Sequence, residues 1–129
     1  MSPLYATLVT RDFASTVNFY EDFFGFAASV EQEQYAFLES PDNAANAIAV
    51  FDARHPCVDG QLAPVQGVIL NIASHDVLGM YDYLYMEGVE VFKEPGTDVH
   101  GRKHFVVYDP NRVLVNVYEP SEQKEVVGV

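Results

Sequence analysis

The feature that most constrains the fold of this chain is an internal repeat. In each half of the 129 residues, a strand-like segment leads into an amphipathic helical segment that stops at a glycine, and three more strand-like segments follow. The two glycines, Gly25 and Gly88, lie 63 residues apart. A supersecondary unit that occurs twice in the same order is typical of two similar modules, each burying one apolar face. The repeat predicts an α+β fold made of two βαβββ modules.

The first module is predicted to occupy residues 1–55. Residues 4–10 have the composition of a strand, and the helix after them has an apolar stripe at helical spacing. We expect Asp12 to cap this helix and Gly25 to end it. The aromatic residues of the stripe are interpreted as core. Three strands are then predicted, at residues 28–31, 34–39 and 46–52.

The second module is predicted at residues 65–120, after a connector at 56–64 that has turn formers and no periodicity. A strand at 65–72 precedes a helix that Ser74 would cap, with an apolar stripe of Val77, Tyr81 and Leu84. Three strands are predicted at 89–93, 103–108 and 113–118. Residues 121–129 are interpreted as a solvated acidic tail. We expect one domain over residues 1–129, in which the two concave sheets enclose a pocket.

Charge and cysteine content limit the classes of partner. The chain has 19 acidic against 7 basic residues, a net charge of -12, which disfavours nucleic acid and anionic membranes and is compatible with cationic ligands. Its single cysteine, Cys57, cannot form a disulfide within the chain. The first residues do not have the pattern of a signal peptide, and no apolar run is long enough to span a bilayer. We therefore expect a cytoplasmic protein with no membrane partner.

Two motifs carry a resemblance to a known family. They are F-Y-x-x-x-F-G-F, which begins at Phe19, and G-R-x-x-F-x-x-x-D-P-N, which begins at Gly101. Over nearly its whole length the chain resembles the vicinal oxygen chelate superfamily, which includes glyoxalases, extradiol dioxygenases and bleomycin-resistance proteins. The resemblance implies paired βαβββ modules that each curl into a half-barrel, and commonly a homodimer. These motifs mark a fold and do not specify its chemistry.

The metal positions of the family can be matched to this sequence. In the metal-dependent members, His or Glu residues on the first and last strand of each module surround a divalent ion. The corresponding residues here are Tyr5, Ala47 or Ala49, Gly67 and Asn116. These side chains supply too few charged or imidazole donors for Mg²⁺, Zn²⁺, Ni²⁺ or Fe²⁺. The resemblance therefore implies neither a metal nor another cofactor, and it disfavours metal-dependent lyase, isomerase and dioxygenase activities.

The candidate ligand-binding residues follow from the positions that the resemblance implies, Tyr5, Gly67 and Asn116, and from strand alternation, because side chains two residues apart share a face. The set consists of Tyr5, Thr7, Asn71, His104, Asn116 and Tyr118. The amide of Asn116 interrupts an apolar strand, and we interpret it as facing a pocket, with a structural hydrogen bond as the alternative. Tyr5 either lines the pocket or packs with its hydroxyl at the surface.

Three other side chains near the second motif have competing interpretations. His104 alternates with Phe105, so it either faces the cavity as a general base or, in the favoured interpretation, is a surface imidazole. A metal site formed by His100 and His104 is disfavoured, because Gly101 and the start of a strand interrupt the helix that such a pair needs. Arg102 is expected to form a surface salt bridge, with an anionic substrate as the alternative.

The favoured function is a metal-independent binding protein of the bleomycin-resistance type, which sequesters an amphipathic or cationic small molecule. The alternative is a glyoxalase-like or dioxygenase-like enzyme. Without a metal, such an enzyme would use His104 or Tyr5 for proton transfer and Asn116 to hold an oxyanion. With a metal, it would bind the ion through other residues. A third possibility is a protein-interaction module, in which Tyr5, Phe37, Phe51 and Tyr118 fill the cavity.

Overall fold

The structure, a computed structural model, describes residues 4–43, 45–58 and 67–120. These residues form two compact units that divide between positions 64 and 65. The first unit contains β1 (Ala6–Thr10), α1 (Phe13–Phe24), β2 (Ala27–Glu31), β3 (Tyr35–Glu39), β4 (Ala47–Asp52) and a short 3₁₀ turn at Pro56–Val58. The second contains β5 (Ile69–Ala73), α2 (Val77–Met86), β6 (Val91–Thr97), β7 (Lys103–Tyr108) and β8 (Leu114–Tyr118).

Each unit is a four-stranded mixed sheet with one helix. The strand orders are β1-β4-β3-β2 and β5-β8-β7-β6, so the same topology occurs twice. In both units the first and last strands are parallel and the remaining pairs are antiparallel. The predicted α+β fold of two βαβββ modules is confirmed.

The core of the first unit lies between α1 and one face of its sheet. Leu38 of β3 is paired with Ile48 of β4, and both side chains are buried. The helix contributes Val17 and Tyr20 to the buried set. Alternation along the strands places Tyr5, Thr7, Phe37 and Ala49 on the opposite face, which α1 does not cover.

The second unit has the same arrangement. Phe105, Val107, Val115 and Val117 have no exposed surface, and the ring of Tyr81 in α2 meets Phe105 edge to face at 5.3 Å. Residues that alternate with these four face away from the helix. We call this second surface the helix-free face.

The helix termini differ in part from the prediction. Gly25 ends α1 with a positive φ of 71°, as expected of a glycine at this position. Asp12 occupies the N-cap position of α1, but its side chain makes no capping hydrogen bond. The cap of α2 is Asp76 and not Ser74, because the Asp76 carboxylate accepts the N–H of Gly79 at 3.0 Å while Ser74 Oγ accepts the N–H of Asp76 at 3.2 Å.

The strands differ from the prediction mainly in two respects. β1, β5 and β6 begin later than expected, at Ala6, Ile69 and Val91. β6 continues to Thr97, through Pro95 and Gly96, and its pairing with β7 has two register shifts. An edge strand with irregular pairing accommodates a proline, which cannot donate to the ladder. Residues 59–64 of the predicted connector, the predicted strand start at 65 and the tail at 121–129 lie outside the described residues.

Both helices of the described residues are short. α1 has 12 residues and α2 has 10, and neither is long and apolar enough to cross a bilayer.

Candidate functional site

A cavity of about 420 Å³ lies on the helix-free face of the second unit. Three neighbouring strands supply its polar centre, since Asn71 of β5 is paired with Asn116 of β8, and Asn116 is paired with Val106 of β7. His104 lies two residues before Val106 and shares its face. The loop between β6 and β7 and the side chains of Ile69 and Phe92 complete the lining.

A hydrogen-bonded chain joins the three polar side chains. Asn116 Oδ1 lies 2.8 Å from His104 Nδ1, and Asn116 Nδ2 donates to Asn71 Oδ1 at 2.9 Å. His104 and Asn116 are buried, with exposed fractions of 7% and 9%. Asn116 is therefore both structurally bonded and part of the pocket wall. The favoured interpretation of His104 as a surface imidazole was wrong, because its side chain is buried beside Asn116.

The direction of these side-chain hydrogen bonds favours one tautomer of His104. The carbonyl of Ile69 only accepts hydrogen bonds, so the Asn71 atom that contacts it at 3.5 Å is Nδ2. Asn71 Oδ1 therefore faces Asn116 Nδ2, and Asn116 Oδ1 is left to accept from His104 Nδ1. A neutral imidazole that carries its proton on Nδ1 has a bare, hydrogen-bond-accepting Nε2.

His104 Nε2 is buried and has no hydrogen-bond partner among the described residues. An unsatisfied buried polar atom costs on the order of 1 to 3 kcal/mol. Such atoms in native proteins are usually satisfied by ordered water or by a ligand. Because His104 lines the cavity, a bound molecule is a candidate partner for this nitrogen.

The loop at one end of the cavity is a tight turn held by Asp98. Its Oδ1 accepts the N–H groups of His100 and Arg102, and its Oδ2 accepts Arg102 Nε at 2.9 Å. Burial acts to raise the pKa of Asp98, but these hydrogen bonds and the guanidinium charge outweigh it and lower the pKa from 3.8 to about 2. The guanidinium of Arg102 also lies over the ring of Tyr118, 4.3 Å from its centroid.

Arg102 does form the expected salt bridge, but not at the surface. The exposed fractions of the Arg102 and Asp98 side chains are 13% and 10%. Tyr118 supports this arginine through its ring. Tyr118 is not itself among the residues that line this cavity, so its role in ligand binding stays a prediction.

The candidate residues of the first unit, Tyr5 and Thr7, are both exposed on the face that α1 does not cover. The ring of Tyr5 meets that of Phe37 edge to face at 5.1 Å. Nearby, Tyr35 and Phe51 are 4.5 Å apart, and burial, followed by the effect of Tyr5, raises the pKa of Tyr35. Tyr5 is thus a packed aromatic residue that remains 48% exposed.

The side chains at the matched metal positions do not fit a divalent ion. Gly67, which the sequence matched to the metal position on the first strand of the second module, lies before β5. The β5 residue paired with Asn116 is Asn71. The resulting donors are two amides, which already bond to each other, and one imidazole nitrogen. Within the described ranges, no three His, Cys, Asp or Glu side chains are grouped as metal ligands. Zinc, iron and magnesium sites need more charged or imidazole donors than this.

Sequence reasoning missed the contributions of Phe92 and Asp98. Both depend on the irregular course of β6, which continues past the expected end of that strand. A signal for Asp98 was present, since aspartate, histidine, glycine and arginine between two strands are typical of a turn closed by side-chain hydrogen bonds. Phe92 had no comparable signal, because its exposure depends on where the edge strand bends.

Comparisons with solved structures identify the same fold. A glyoxalase/bleomycin resistance protein/dioxygenase family enzyme from Burkholderia phytofirmans PsJN is similar with a TM-score of 0.75 at 19% identity, over 92% of this chain and 98% of that chain. A bleomycin resistance determinant encoded on the transposon Tn5 is similar with a TM-score of 0.68 at 20% identity, over 94% and 99%. Lactoylglutathione lyase from Agrobacterium tumefaciens is similar with a TM-score of 0.67 at 18% identity, over 92% of each chain.

A comparison with curated proteins finds no significant match. A sequence model of the Glyoxalase/Bleomycin resistance protein/Dioxygenase superfamily matches residues 3–117. That match covers most of the chain, and it agrees with the paired βαβββ units and with the two motifs. The chain belongs to the glyoxalase/bleomycin resistance protein/dioxygenase superfamily.

Proposed function

We propose that this protein is a metal-independent binding protein of the bleomycin-resistance type, which sequesters an amphipathic small molecule in the cavity of its second unit. One observation carries the proposal. His104 lines a cavity whose other walls include apolar side chains, and its Nε2 is buried without a hydrogen-bond partner among the described residues. A molecule with a polar group and an apolar body would satisfy the nitrogen and cover those walls.

Metal independence is supported by the donor set. The amide oxygens of Asn71 and Asn116 both accept hydrogen bonds within the chain of polar side chains. An ion would have to compete with these bonds and would gain a single imidazole nitrogen. Elemental analysis after dialysis tests this point directly. Stoichiometric zinc, nickel, iron or manganese would contradict it.

The proposed ligands also include cationic compounds, which the net charge favours. Binding of an amphipathic or a cationic compound can be followed as a rise in melting temperature, because a ligand that binds only the folded state stabilises it. The panel should include bleomycin, other cationic aromatic antibiotics and neutral aromatic compounds. The proposal is contradicted if no compound raises the melting temperature and no small molecule co-purifies.

The experiment has a matched control on the chain. Asn at position 104 reproduces the Nδ1 side of the imidazole and lacks Nε2, so His104→Asn removes the proposed contact while keeping a donor toward Asn116. His75 is exposed beside the start of α2, so His75→Asn makes the same chemical change away from the cavity. We expect the first variant to weaken ligand binding and the second to leave it unchanged.

A metal-free enzyme is the second candidate, and the tautomer of His104 favours it. A neutral imidazole with its Nδ1 proton held by an amide is arranged to accept a proton at Nε2. If the protein is such an enzyme, an acidic C–H group of a bound ligand will exchange with deuterium from the solvent. The exchange would be visible by NMR and would be lost in His104→Asn.

The family resemblance also supports a homodimer that works in the cytoplasm and contributes to antibiotic resistance. Light scattering of the purified full-length chain tests the dimer, and a change in the antibiotic susceptibility of an expressing strain tests the resistance. A monomer, or a strain with unchanged susceptibility, would remove the corresponding part of the proposal.

A further inference from the structure

We infer that the cavity is built for an amphipathic acid. The anionic group of the ligand lies on the guanidinium of Arg102, and a nearby O–H or N–H group of the ligand donates to His104 Nε2. This inference rests on the proposed function, because it names the class of ligand for the same cavity. It follows from three observations: how Arg102 is held, how the charges of the lining are arranged, and how the two ligand-binding groups are spaced.

Arg102 is fixed in place and retains hydrogen-bonding capacity. Its Nε donates to Asp98, and its guanidinium carbon lies 4.3 Å from the centroid of the Tyr118 ring. Within the described residues, its two terminal nitrogens make no hydrogen bond to another protein group. Guanidinium groups held in this way bind carboxylates through two parallel hydrogen bonds, and holding them in advance reduces the entropy lost on binding.

The charges that line the cavity have the opposite balance to the chain as a whole. Lys93 and Arg102 are the cations of the lining, and Asp98 is its carboxylate. Both oxygens of Asp98 already accept hydrogen bonds from the loop, so little of its acceptor capacity remains for a cationic ligand. With histidines counted as neutral, the lining has an excess of positive charge, whereas the chain carries -12. The local field therefore favours an anion.

The two recognition groups have a defined spacing. Arg102 directly precedes β7 and His104 is the second residue of that strand, which separates their backbones by roughly 6 to 7 Å, and both line the cavity. A ligand that reaches both groups has its anion and its donor separated by a few bonds. The remaining wall includes Ile69 and Phe92, which are 49% and 55% exposed. An apolar ligand body would cover these side chains.

Hydroxybenzoates provide the probe, because they combine a carboxylate, a donor at variable distance and an aromatic body. The series consists of 2-, 3- and 4-hydroxybenzoate, with 4-methoxybenzoate lacking the donor, methyl 4-hydroxybenzoate lacking the anion, and benzyltrimethylammonium carrying the opposite charge. Binding to the full-length protein is measured by isothermal titration calorimetry at neutral pH, with bleomycin measured in parallel.

We expect at least one hydroxybenzoate to bind about tenfold or more tightly than the methyl ester and the ammonium compound, because charged hydrogen bonds are the stronger ones. In His104→Asn, the preference for the hydroxy over the methoxy compound should disappear while acid binding remains. In Arg102→Gln, the preference for acid over ester should disappear. His75→Asn should change neither preference, and circular dichroism verifies that each variant is folded.

Each other outcome overturns a defined part of the account. If the ester or the ammonium compound binds as tightly as the acids, the acid inference is wrong and the proposed binding function stands. If bleomycin binds and no benzoate does, the inference is also wrong. If neither the benzoates, the ammonium compound nor bleomycin binds, the proposed function fails together with it.

Discussion

The two units share one topology and differ in the surface that their helices leave uncovered. In the first unit this surface is aromatic and aliphatic, with Tyr5 against Phe37. In the second unit it carries a hydrogen-bonded chain from Asn71 through Asn116 to His104. The helix-covered faces, in contrast, are mostly apolar in both units, with a buried hydrogen bond between Thr16 and Thr10 in the first. Packing against a helix restricts one face of each sheet to mostly apolar residues, whereas the other face is free to differ in chemistry.

The two units also differ in how far the arginine of an aspartate–arginine ion pair is exposed. Each unit has an aspartate whose pKa is lowered to about 2 by an arginine close in sequence, with Asp52 paired to Arg54 and Asp98 to Arg102. The side chain of Arg54 is 79% exposed, whereas that of Arg102 is 13% exposed. The first pair is therefore screened by water, while the second fixes a guanidinium at the cavity.

The largest expected effect separates the two faces of the second sheet. Phe105→Ala removes a ring with no exposed surface beneath α2 and should lower the free energy of unfolding by about 3 to 5 kcal/mol. Phe92→Ala removes a ring that is 55% exposed at the cavity and should change it by less than about 0.5 kcal/mol. Urea denaturation measures both. Equal losses would contradict the assignment of core and cavity faces.

The next effect tests whether the hydrogen bonds that join Asn71, Asn116 and His104 in the second unit stabilise the fold. Asn116→Ala leaves His104 Nδ1 and Asn71 Oδ1 without their partner and should lower the free energy of unfolding by about 1 to 3 kcal/mol. Thr7→Ala on the uncovered face of the first unit should cost less than about 0.5 kcal/mol, because Thr7 is exposed. If Asn116→Ala leaves the free energy of unfolding unchanged, the hydrogen bonds between Asn71, Asn116 and His104 contribute nothing to stability.

A smaller effect should be equal in the two units. Gly25 and Gly88 follow the two helices with φ of 71° and 83°, and the added methyl group of an alanine would meet no atom closer than 3.5 Å at either site. Gly25→Ala and Gly88→Ala should each cost about 1 to 2 kcal/mol, because a left-handed conformation is strained for an L-residue. Thermal unfolding compares them. A large loss at one site alone would show that the two helix ends are not equivalent.

The smallest effect concerns acid stability. The folded-state pKa of Asp98, about 2, lies below its usual value of 3.8. The ionised side chain therefore stabilises the fold above pH 4, and this contribution is lost as the pH falls from about 4 through 2. Asp98→Asn should reduce the pH dependence of the melting temperature in that range. Asp52→Asn should reduce it less, because its arginine partner is exposed. The reverse order would contradict the comparison of the two pairs.

The sequence predicted the fold well because the repeat is carried by local signals. Strand alternation, an apolar helical stripe and a glycine at the helix end are each decided within a few residues, and β7 has the bounds that were predicted. The cap of α2 was misplaced because Ser74 and Asp76 both favour that position, and only the helix geometry decides between them.

The site was predicted only in part, because its remaining features depend on tertiary structure. Alternation grouped Asn71, His104 and Asn116 correctly on one face. It did not reveal that His104 is buried, nor that Phe92 of the irregular strand β6 and Asp98 after it line the cavity. Net charge also gave no information about the local balance of charge at the cavity.

The central claim is that His104 presents a bare Nε2 to a small molecule in the cavity of the second unit. The most direct test is a long-range proton–nitrogen NMR spectrum of the imidazole, recorded for the free protein and with the tightest-binding compound. The account predicts a neutral ring protonated at Nδ1 and a change in the Nε2 resonance alone on binding. A proton on Nε2 in the free protein, or an Nε2 resonance unaffected by a compound that binds, would contradict it.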